Sequence, residues 1–159
     1  MTQTAQRDVL SLLIQDHREV DELFVRLEEL AECRERSEAR TVAGQVVIEL
    51  SGHRAAEARY LYPLVRERVP DGLALAERDA AEQAEVDDDL RALDRLDPGQ
   101  DEFWVRVAVL TDRYRAHVRD EENELFPRVR EAVPRKVLVE LAGRVGTGQV
   151  LTTLGVVDA

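Results

Sequence analysis

The sequence predicts an all-α protein, namely an antiparallel up-down four-helix bundle with a short fifth helix at its C-terminal end. The 159-residue chain is rich in Leu, Val, Ala, Glu and Arg and contains only eight glycines and five prolines, which is a helical composition. Apolar residues recur at helical spacing in four long segments joined by short polar connections. The second half of the chain also repeats the first, so we expect an approximate two-fold axis through the bundle.

The first two helices follow from apolar periodicity. Residues 8–32 carry apolar side chains every three or four positions, and a polar stretch then ends the pattern. Ser37 is a candidate N-cap for the next helix, which we predict over residues 38–67. Pro63 lies inside that segment, so a kink or a break is expected there.

Turn signals bound the remaining helices. The Pro-Asp-Gly sequence at 70–72 separates the second helix from a third over residues 73–96. The Asp-Pro-Gly sequence at 97–99 precedes a fourth helix over residues 102–130, and a proline begins a short fifth helix over residues 134–143.

The chain is long enough to bury one core, which predicts a single domain. We assign residues 8–144 to the bundle and residues 145–159 to a C-terminal tail. The tail is rich in Gly, Thr and Val and shows no clear period.

Charge and composition exclude several classes of function. The net charge of -11 repels phosphate backbones and anionic lipid surfaces, so neither a nucleic acid nor a membrane is expected as a partner. No apolar stretch approaches the roughly 20 residues that span a bilayer, and the N-terminus lacks the layout of a signal peptide. The single Cys33 forms no internal disulfide, which agrees with a reducing cytoplasm. We interpret Cys33 as a bystander.

Two segments of the chain are near copies, offset by 64 residues. In the first, His53 is followed by Glu57 and then by Leu-Tyr-Pro; in the second, His117 is followed by Glu121 and then by Leu-Phe-Pro. Residues four apart lie on the same face of a helix. Two such His–Glu faces, opposed in a bundle, form a nitrogen and oxygen cluster suited to a pair of iron or manganese ions.

A second repeat aligns His17 with Gln83, at an offset of 66 residues. Around His17, the apolar residues Leu13, Val20 and Phe24 lie on the same side of the helix. The imidazole is therefore expected to face the core, near the two His–Glu faces.

We interpret all three histidines, His17, His53 and His117, as metal ligands. A lone helical histidine is more often a surface or core residue, but these three occupy repeat-related positions. Glu57 and Glu121 are interpreted as carboxylates that bridge two metals. Most glutamates are solvated, but a buried carboxylate without a cation costs several kcal/mol.

Three neighbouring residues are weaker candidates. Tyr60 and Glu124 follow the repeat histidines by nearly two helical turns, so they could line the same face beyond the site. Tyr62 is expected to fill core space, although the nearby proline could turn it toward the metals.

The combined pattern resembles the hemerythrin-like family, the HHE cation-binding domains, over about residues 8–130. The resemblance depends on the Gln-Asp-His-Arg-Glu-Val segment at 15–20 and on both His-x3-Glu segments with their Leu-aromatic-Pro continuations. It implies a four-helix bundle with a non-haem di-iron centre bridged by two carboxylates and an oxo or hydroxo group. Family members bind dioxygen, sense oxygen or iron, or act on peroxide or nitric oxide. The matching metal positions are His17, His53, Glu57, His117 and Glu121.

Gln83 departs from the family pattern, which has a histidine at this position. Three arrangements stay open. Gln83 or a water ligates the second metal weakly, since an amide oxygen is a poorer iron ligand than imidazole; Glu82 or Glu85 takes its place; or the second metal is lost, which leaves a single iron.

Two functional classes therefore remain. The first is an iron protein that binds or responds to dioxygen, peroxide, nitric oxide or iron itself. The second is a metal-free helical-bundle interaction protein, in which Gln83 marks a degenerate site and the acidic faces dock a partner. The sequence contains no separate general base or second cofactor motif, so it does not separate an enzyme from a carrier or sensor. It does not determine the oligomeric state.

Overall fold

The structure, a computed structural model, describes residues 6–33 and 35–153 of the chain, with side chains as far as Val145. Within these residues the secondary structure is helical throughout and includes no strand, so the predicted all-α class is confirmed. None of the described helices combines the length and the apolar character needed to cross a membrane.

Two of the four long helices of the bundle contain a π-helical turn. The elements are α1 (Val9–Cys33), α2 (Arg36–Ala56), the first π-turn (Glu57–Leu61), α3 (Tyr62–Arg68), α4 (Gly72–Arg95), α5 (Asp101–Asp120), the second π-turn (Glu121–Leu125), α6 (Phe126–Ala132) and α7 (Arg135–Thr153). Each π-turn joins two α-helices without interruption, so α2 and α3 form one bundle helix, and α5 and α6 form another. The other two bundle helices are α1 and α4.

Short connections make consecutive bundle helices antiparallel. α1 packs against α2 and α5, and α4 packs against α2, α3 and α5, which closes the four-helix arrangement. α7 lies against α1 and α2.

A polar layer separates two apolar clusters inside the bundle. Along α1, Leu13 belongs to one cluster and Val20 to the other, and the buried His17 lies between them. The other bundle helices place polar side chains at the same level: His53 and Glu57, Asp79 and Gln83, and His117 and Glu121. The apolar clusters above and below therefore shield the layer from water at both ends, and only His117 and Gln83 among these residues are half-buried at its edge.

Pro63 does not break its helix. The backbone N–H of Tyr62 donates to the carbonyl of Glu57, so the π-turn inserts one extra residue just before the proline. Pro63 then falls in the first turn of α3, where its missing N–H costs little. The second copy of the motif repeats this pattern, because the backbone N–H of Phe126 donates to the carbonyl of Glu121.

The predicted N-cap of the second helix is wrong. α2 begins at Arg36, and Glu35 occupies the cap position. Ser37 instead lies in the first turn, where its carbonyl accepts a hydrogen bond from the hydroxyl of Thr41.

The fifth helix is longer than predicted, because α7 continues past Gly143 to Thr153. Its apolar residues Leu138, Leu141 and Val145 keep helical spacing and pack into the same cluster as the start of α1. Much of the predicted tail is thus helical, and the remainder of that tail, residues 154–159, lies outside the described residues.

Asp8 joins the start of α1 to α6. Its carboxylate accepts a hydrogen bond from the backbone N–H of Ser11 at 2.9 Å and pairs with the guanidinium of Arg130. Burial raises the pKa of Asp8, but Arg130 and Ser11 outweigh this effect and hold the pKa below its usual value. The stabilisation is therefore complete above the unfolded pKa of about 3.9 and is lost as the pH falls through the folded pKa.

Asp8→Ala is expected to lower the free energy of unfolding by about 1–2 kcal/mol at pH 7, because the cap and the ion pair are both lost. Asp8→Asn keeps an oxygen that can cap the helix and should cost less. Urea unfolding measures both effects. The difference between wild type and Asp8→Asn should close as the pH falls below the folded pKa of Asp8, and a difference that persists there contradicts the ion pair's role.

Candidate metal centre

The two His–Glu pairs of the repeat face each other in the polar layer. Nε2 of His53 lies 2.8 Å from Oε1 of Glu57, and Nε2 of His117 lies 2.9 Å from Oε1 of Glu121. In both pairs the histidine is in the last turn of an α-helix and the glutamate opens a π-turn. The i, i+4 spacing in the sequence thus produces the side-chain contact that it predicts.

Both carboxylates reach across the layer. Oε1 of Glu57 faces His53 and lies 3.9 Å from Nε2 of His17, whereas Oε2 lies 3.7 Å from Nε2 of His117. Oε2 of Glu121 lies 3.1 Å from Nε2 of His17, whereas Oε1 faces His117. Each carboxylate presents one oxygen to the His17–His53 side and the other to the His117 side, as a carboxylate that bridges two cations must.

Buried polar atoms without a hydrogen bond are concentrated at this site. Although the nitrogen–oxygen distances are short, these atoms have no hydrogen-bond partner of acceptable geometry. Such atoms are costly to bury, at roughly 1–3 kcal/mol each, and a cation at their common focus would satisfy them. Among the described side chains, six of the seven such atoms belong to the layer: Nε2 of His17, His53 and His117, Oε1 of Glu57, Oδ1 of Asp79 and Oε2 of Glu121.

The donor atoms form two groups, each close enough together to share a cation. Four atoms that lie within 4.8 Å of one another come from the buried residues His17, His53, Glu57 and Glu121. A second group meets the same limit and contains Asp79, Glu82 and His117. Imidazole nitrogens and carboxylate oxygens suit iron, manganese and zinc, so the residues fit a metal of this class.

Additional carboxylates orient two of the imidazoles from behind. Nδ1 of His17 lies 3.1 Å from Oε2 of Glu122, and Nδ1 of His53 lies 3.2 Å from Oδ2 of Asp16. A carboxylate at Nδ1 keeps a proton on that nitrogen, so Nε2 faces the centre of the layer and can bind a cation once it has lost its own proton. This is the arrangement that supports histidine ligands at metal sites.

A sequence model described as the hemerythrin HHE cation binding domain matches residues 8–129 of the chain. The chain belongs to this family. The predicted resemblance is thereby confirmed, and the match extends from the start of α1 into α6 and includes every residue of the polar layer.

Two relatives show how far the similarity of this HHE domain extends. It is 32% identical over 123 residues to a DNA nickase from a Nostoc species; the match includes 77% of this chain and 34% of that protein, so the chain spans about a third of its relative. It also superimposes on the crystal structure of an HHE cation binding domain-containing protein from Mycobacterium kansasii, with a TM-score of 0.76 and 20% identity, over 91% of this chain and 86% of that chain. The second comparison shows the shared fold.

Gln83 lies at the edge of the layer and turns its amide nitrogen toward it. Nε2 donates to Oδ2 of Asp79 at 3.1 Å and to Oε2 of Glu57 at 3.5 Å. Glu85 was one predicted replacement for Gln83 as a ligand of the second metal. It instead pairs with Arg113 at 3.2 Å on the surface of the HHE domain. In the described geometry Gln83 therefore competes with a cation for an oxygen of Glu57.

Asp79 is the site residue that the sequence interpretation missed. It is buried, and Oδ1 lies 3.8 Å from Nδ1 of His117. Burial raises the pKa of Asp79, and the nearby Glu57 carboxylate contributes, to a value of about 6. The signal was available, because Asp79 precedes Gln83 by one turn just as the buried Leu13 precedes His17 in the other half of the repeat.

Aromatic side chains close the layer on one side. The hydroxyl of Tyr62 donates to Oε1 of Glu121 at 3.2 Å, so this residue contacts the site. Phe126, the equivalent of Tyr62 in the repeat, stacks on the ring of His17 with 5.9 Å between centroids. Tyr60 packs against the apolar cluster instead.

The acidic and basic groups of the layer shift one another's pKa. Burial lowers the pKa of His53, but Glu57 and Asp16 outweigh it and raise the pKa to about 10. Burial likewise lowers the pKa of His117, whereas Glu121 and Glu57 raise it to about 12. Burial raises the pKa of Glu57, but the imidazoles hold it well below its usual range. At neutral pH the Glu57 carboxylate is therefore charged, and it attracts either protonated imidazoles or a metal cation.

Asp16→Ala is expected to weaken metal binding by this HHE domain by roughly 10- to 100-fold, because His53 loses the carboxylate that orients it. Glu19→Ala is the matched control, since it removes one charge from an exposed position on the same helix. Titration against a competing chelator measures both affinities. An equal loss of metal affinity in Asp16→Ala and Glu19→Ala would show that Asp16 acts only through its charge.

Proposed function

We propose that this HHE domain holds non-haem iron in its polar layer and that the iron binds or responds to a small ligand such as dioxygen, peroxide or nitric oxide. The observation that carries the proposal is the convergence of three imidazole nitrogens and two carboxylates, buried and without hydrogen bonds among them. Bound iron would supply open coordination positions and a redox couple. The protein supplies the donor atoms and shields them from water.

We further propose two unequal metal positions. The first contains two imidazoles, and the second contains one, together with the far oxygens of the shared carboxylates. Fewer nitrogen donors should make the second position weaker. The proposed ligands are His17, His53, Glu57 and Glu121 at the first position and His117, Glu57, Glu121 and Gln83 at the second. Asp79 lies at Nδ1 of His117, away from Nε2, and is proposed to orient that imidazole.

Metal analysis tests this proposal. Protein made in iron-rich medium, or reconstituted under argon, should contain stoichiometric iron and absorb in the near ultraviolet. His53→Ala should lose the first metal, His117→Ala the second, and both should lose that absorption. Iron near zero in the reconstituted wild type would refute the proposal, and preferential uptake of manganese or zinc would correct the element.

Consumption of peroxide distinguishes an enzyme from a carrier or sensor. The iron-loaded protein is mixed with peroxide in a stopped-flow instrument, with His53→Ala as the control. Many turnovers per iron indicate an enzyme, whereas a single binding event indicates reversible binding. The histidine variant should show neither.

The metal-free interaction protein remains the alternative outcome. It predicts that chelators leave the melting temperature unchanged, because no cation binds the folded state. We do not extend DNA cleavage to this chain, since it spans about a third of the nickase and its net charge of -11 repels DNA. The exposed single Cys33 supports a proposed location in the reducing cytoplasm.

A further inference from the structure

The middle of α4 buries less of its surface than the equivalent part of α1. Over residues 80–88 of α4 no side chain is buried. In the equivalent stretch of α1, residues 14–22, both His17 and Val20 are buried, whereas Val86, the repeat partner of Val20, is only half-buried. Apolar burial, which is the main force that holds helices together, therefore contributes little to this part of α4.

A cavity of about 240 Å³ lies between this part of α4 and the neighbouring helices α2 and α5. Leu50 of α2, Val86 of α4 and Ala116 of α5 contribute to its wall. Atoms that line a cavity lack packing partners on one side and lose those dispersion contacts. The cavity and the low burial together indicate that the middle of α4 separates from the bundle at a low cost in free energy.

Arg54 of α2 holds α4 at this point. Its side chain is 9% exposed, and its guanidinium contacts the carboxylate of Asp87 at 2.6 Å and donates to the backbone carbonyl of Gln83 at 2.7 Å. The donors of a guanidinium have a fixed planar arrangement, so one side chain binds both groups at once. We call these two contacts the Arg54 clamp. Because a buried cation is costly without its partners, separation of α4 from Arg54 is unfavourable.

The two halves of the repeat differ at this position. At an offset of 64 residues the partner of Arg54 is Val118, which packs against the apolar cluster that contains Val20. Arg113 of α5 adds a pair with Glu85 of α4, but both side chains are exposed, so this pair contributes little. α1 is thus held at the polar layer by apolar packing, whereas α4 is held there mainly by the Arg54 clamp.

We propose that Arg54 is a positioning residue for the second metal position, which it stabilises by holding the middle of α4 against the polar layer. α4 provides Gln83, a proposed ligand of the second metal, and Asp79, which lies beside His117. The proposed ligands of the first metal come from α1, α2 and the two π-turns, so opening of α4 leaves them in place. The effect on the metal rests on the proposed iron function, whereas the clamp itself does not.

Amide hydrogen exchange of the metal-free protein tests the clamp. In Arg54→Met, which keeps a long side chain but has no charge, residues 80–88 should exchange roughly tenfold faster than in wild type. Residues 14–22 of α1 should exchange at the wild-type rate, which distinguishes local opening of α4 from a general loss of stability.

A second pair of variants leaves the buried arginine in the protein. Asp87→Asn removes the half-exposed partner of Arg54 and should speed exchange over the same residues. Asp88→Asn is the matched control, because it neutralises the adjacent exposed acid, which pairs with Arg91 of its own helix. Its exchange should equal that of wild type.

Release of iron(II) to a coloured chelator under argon tests the effect on the metal. Arg54→Met should release the second metal roughly tenfold faster and the first metal at the wild-type rate. Arg54→Lys keeps the charge but binds one partner rather than two, so its release rate should lie between those of wild type and Arg54→Met. A residue that only stabilises the fold would not affect one metal and spare the other.

Wild-type exchange over residues 80–88 in both Arg54→Met and Asp87→Asn would overturn the clamp. Faster exchange with unchanged release of the second metal, or equal acceleration for both metals, would overturn the positioning role. A wild type that takes up no iron refutes the proposed function instead, and the exchange experiment then still decides whether the clamp exists.

Discussion

Glu57→Gln is expected to abolish metal binding at both positions of the site. Glu57 is fully buried, and its two oxygens lie 2.8 Å from Nε2 of His53 and 3.7 Å from Nε2 of His117. An amide has the same shape but no charge, and it offers one oxygen rather than two. A single substitution therefore removes one of the two bridging oxygens and the negative charge that offsets both proposed metals.

The melting temperature, with and without a chelator, measures this effect. Metal present at about a thousand times its dissociation constant adds about 4 kcal/mol to the stability of the folded state. For a domain of this size each kcal/mol corresponds to roughly 2–4 °C, so the wild type should melt roughly 10 °C lower after chelation. Glu57→Gln should show almost no difference between the two conditions.

Proton release gives a second readout of the same prediction. Burial lowers the pKa of His53, but Glu57 and Asp16 raise it to about 10, so the imidazole of the metal-free protein is protonated at pH 7. A metal ligand must be deprotonated, so metal uptake displaces this proton into a weakly buffered solution. The wild type should acidify its solution on metal addition, and Glu57→Gln should not.

Glu67→Gln is the matched control, because it neutralises an exposed glutamate on the same bundle helix. It should retain the full melting shift and the proton release. Each variant is compared with its own chelated form, which removes any direct effect of the substitution on folding. A chelator-dependent shift of wild-type size in Glu57→Gln would contradict the bridging role.

Gln83→His is expected to strengthen the second metal position by tenfold or more, about 1.4 kcal/mol per factor of ten. Gln83 now donates its amide hydrogens to Asp79 and Glu57, which occupies lone pairs that a metal needs. An imidazole at this position offers a nitrogen donor, which iron prefers to an amide oxygen. The repeat partner of Gln83 is His17, so the position already directs a side chain to the layer.

Competition between the protein and a coloured chelator resolves the two binding steps. In Gln83→His the first step should be unchanged and the second should tighten. Gln83→Asn, which keeps an amide on a shorter side chain, should show no gain. If the affinities of both metal-binding steps are unchanged in Gln83→His, the side chain at position 83 does not contact the second metal.

The repeat in the sequence was sufficient to predict most of the residues that form the polar layer. Apolar residues at helical spacing on either side of His17 indicated that the imidazole is buried, and the structure places it between two apolar clusters. The i, i+4 spacing of His53 with Glu57 rests on helix geometry alone, so it needed no tertiary information. Whether these residues bind metal stays a prediction.

Other features depended on contacts between helices that are distant in sequence. Asp79 was missed because acidic residues are common in α4, and only the packed bundle shows that this carboxylate is buried beside His117. Glu85, on the same helix, turns outward to Arg113. Tyr62 reaches Glu121 across the bundle, which local periodicity does not indicate.

The sequence by itself determined the helical class, the two-fold repeat and the set of imidazoles and paired carboxylates, because these depend on local periodicity and on side-chain chemistry. Tertiary structure decided the π-turn ahead of each proline, the choice of Asp79 among the acids of α4, and the exposure of the His117 side compared with the His17 side. Burial and orientation result from packing between whole helices, and one segment does not specify the neighbour it packs against.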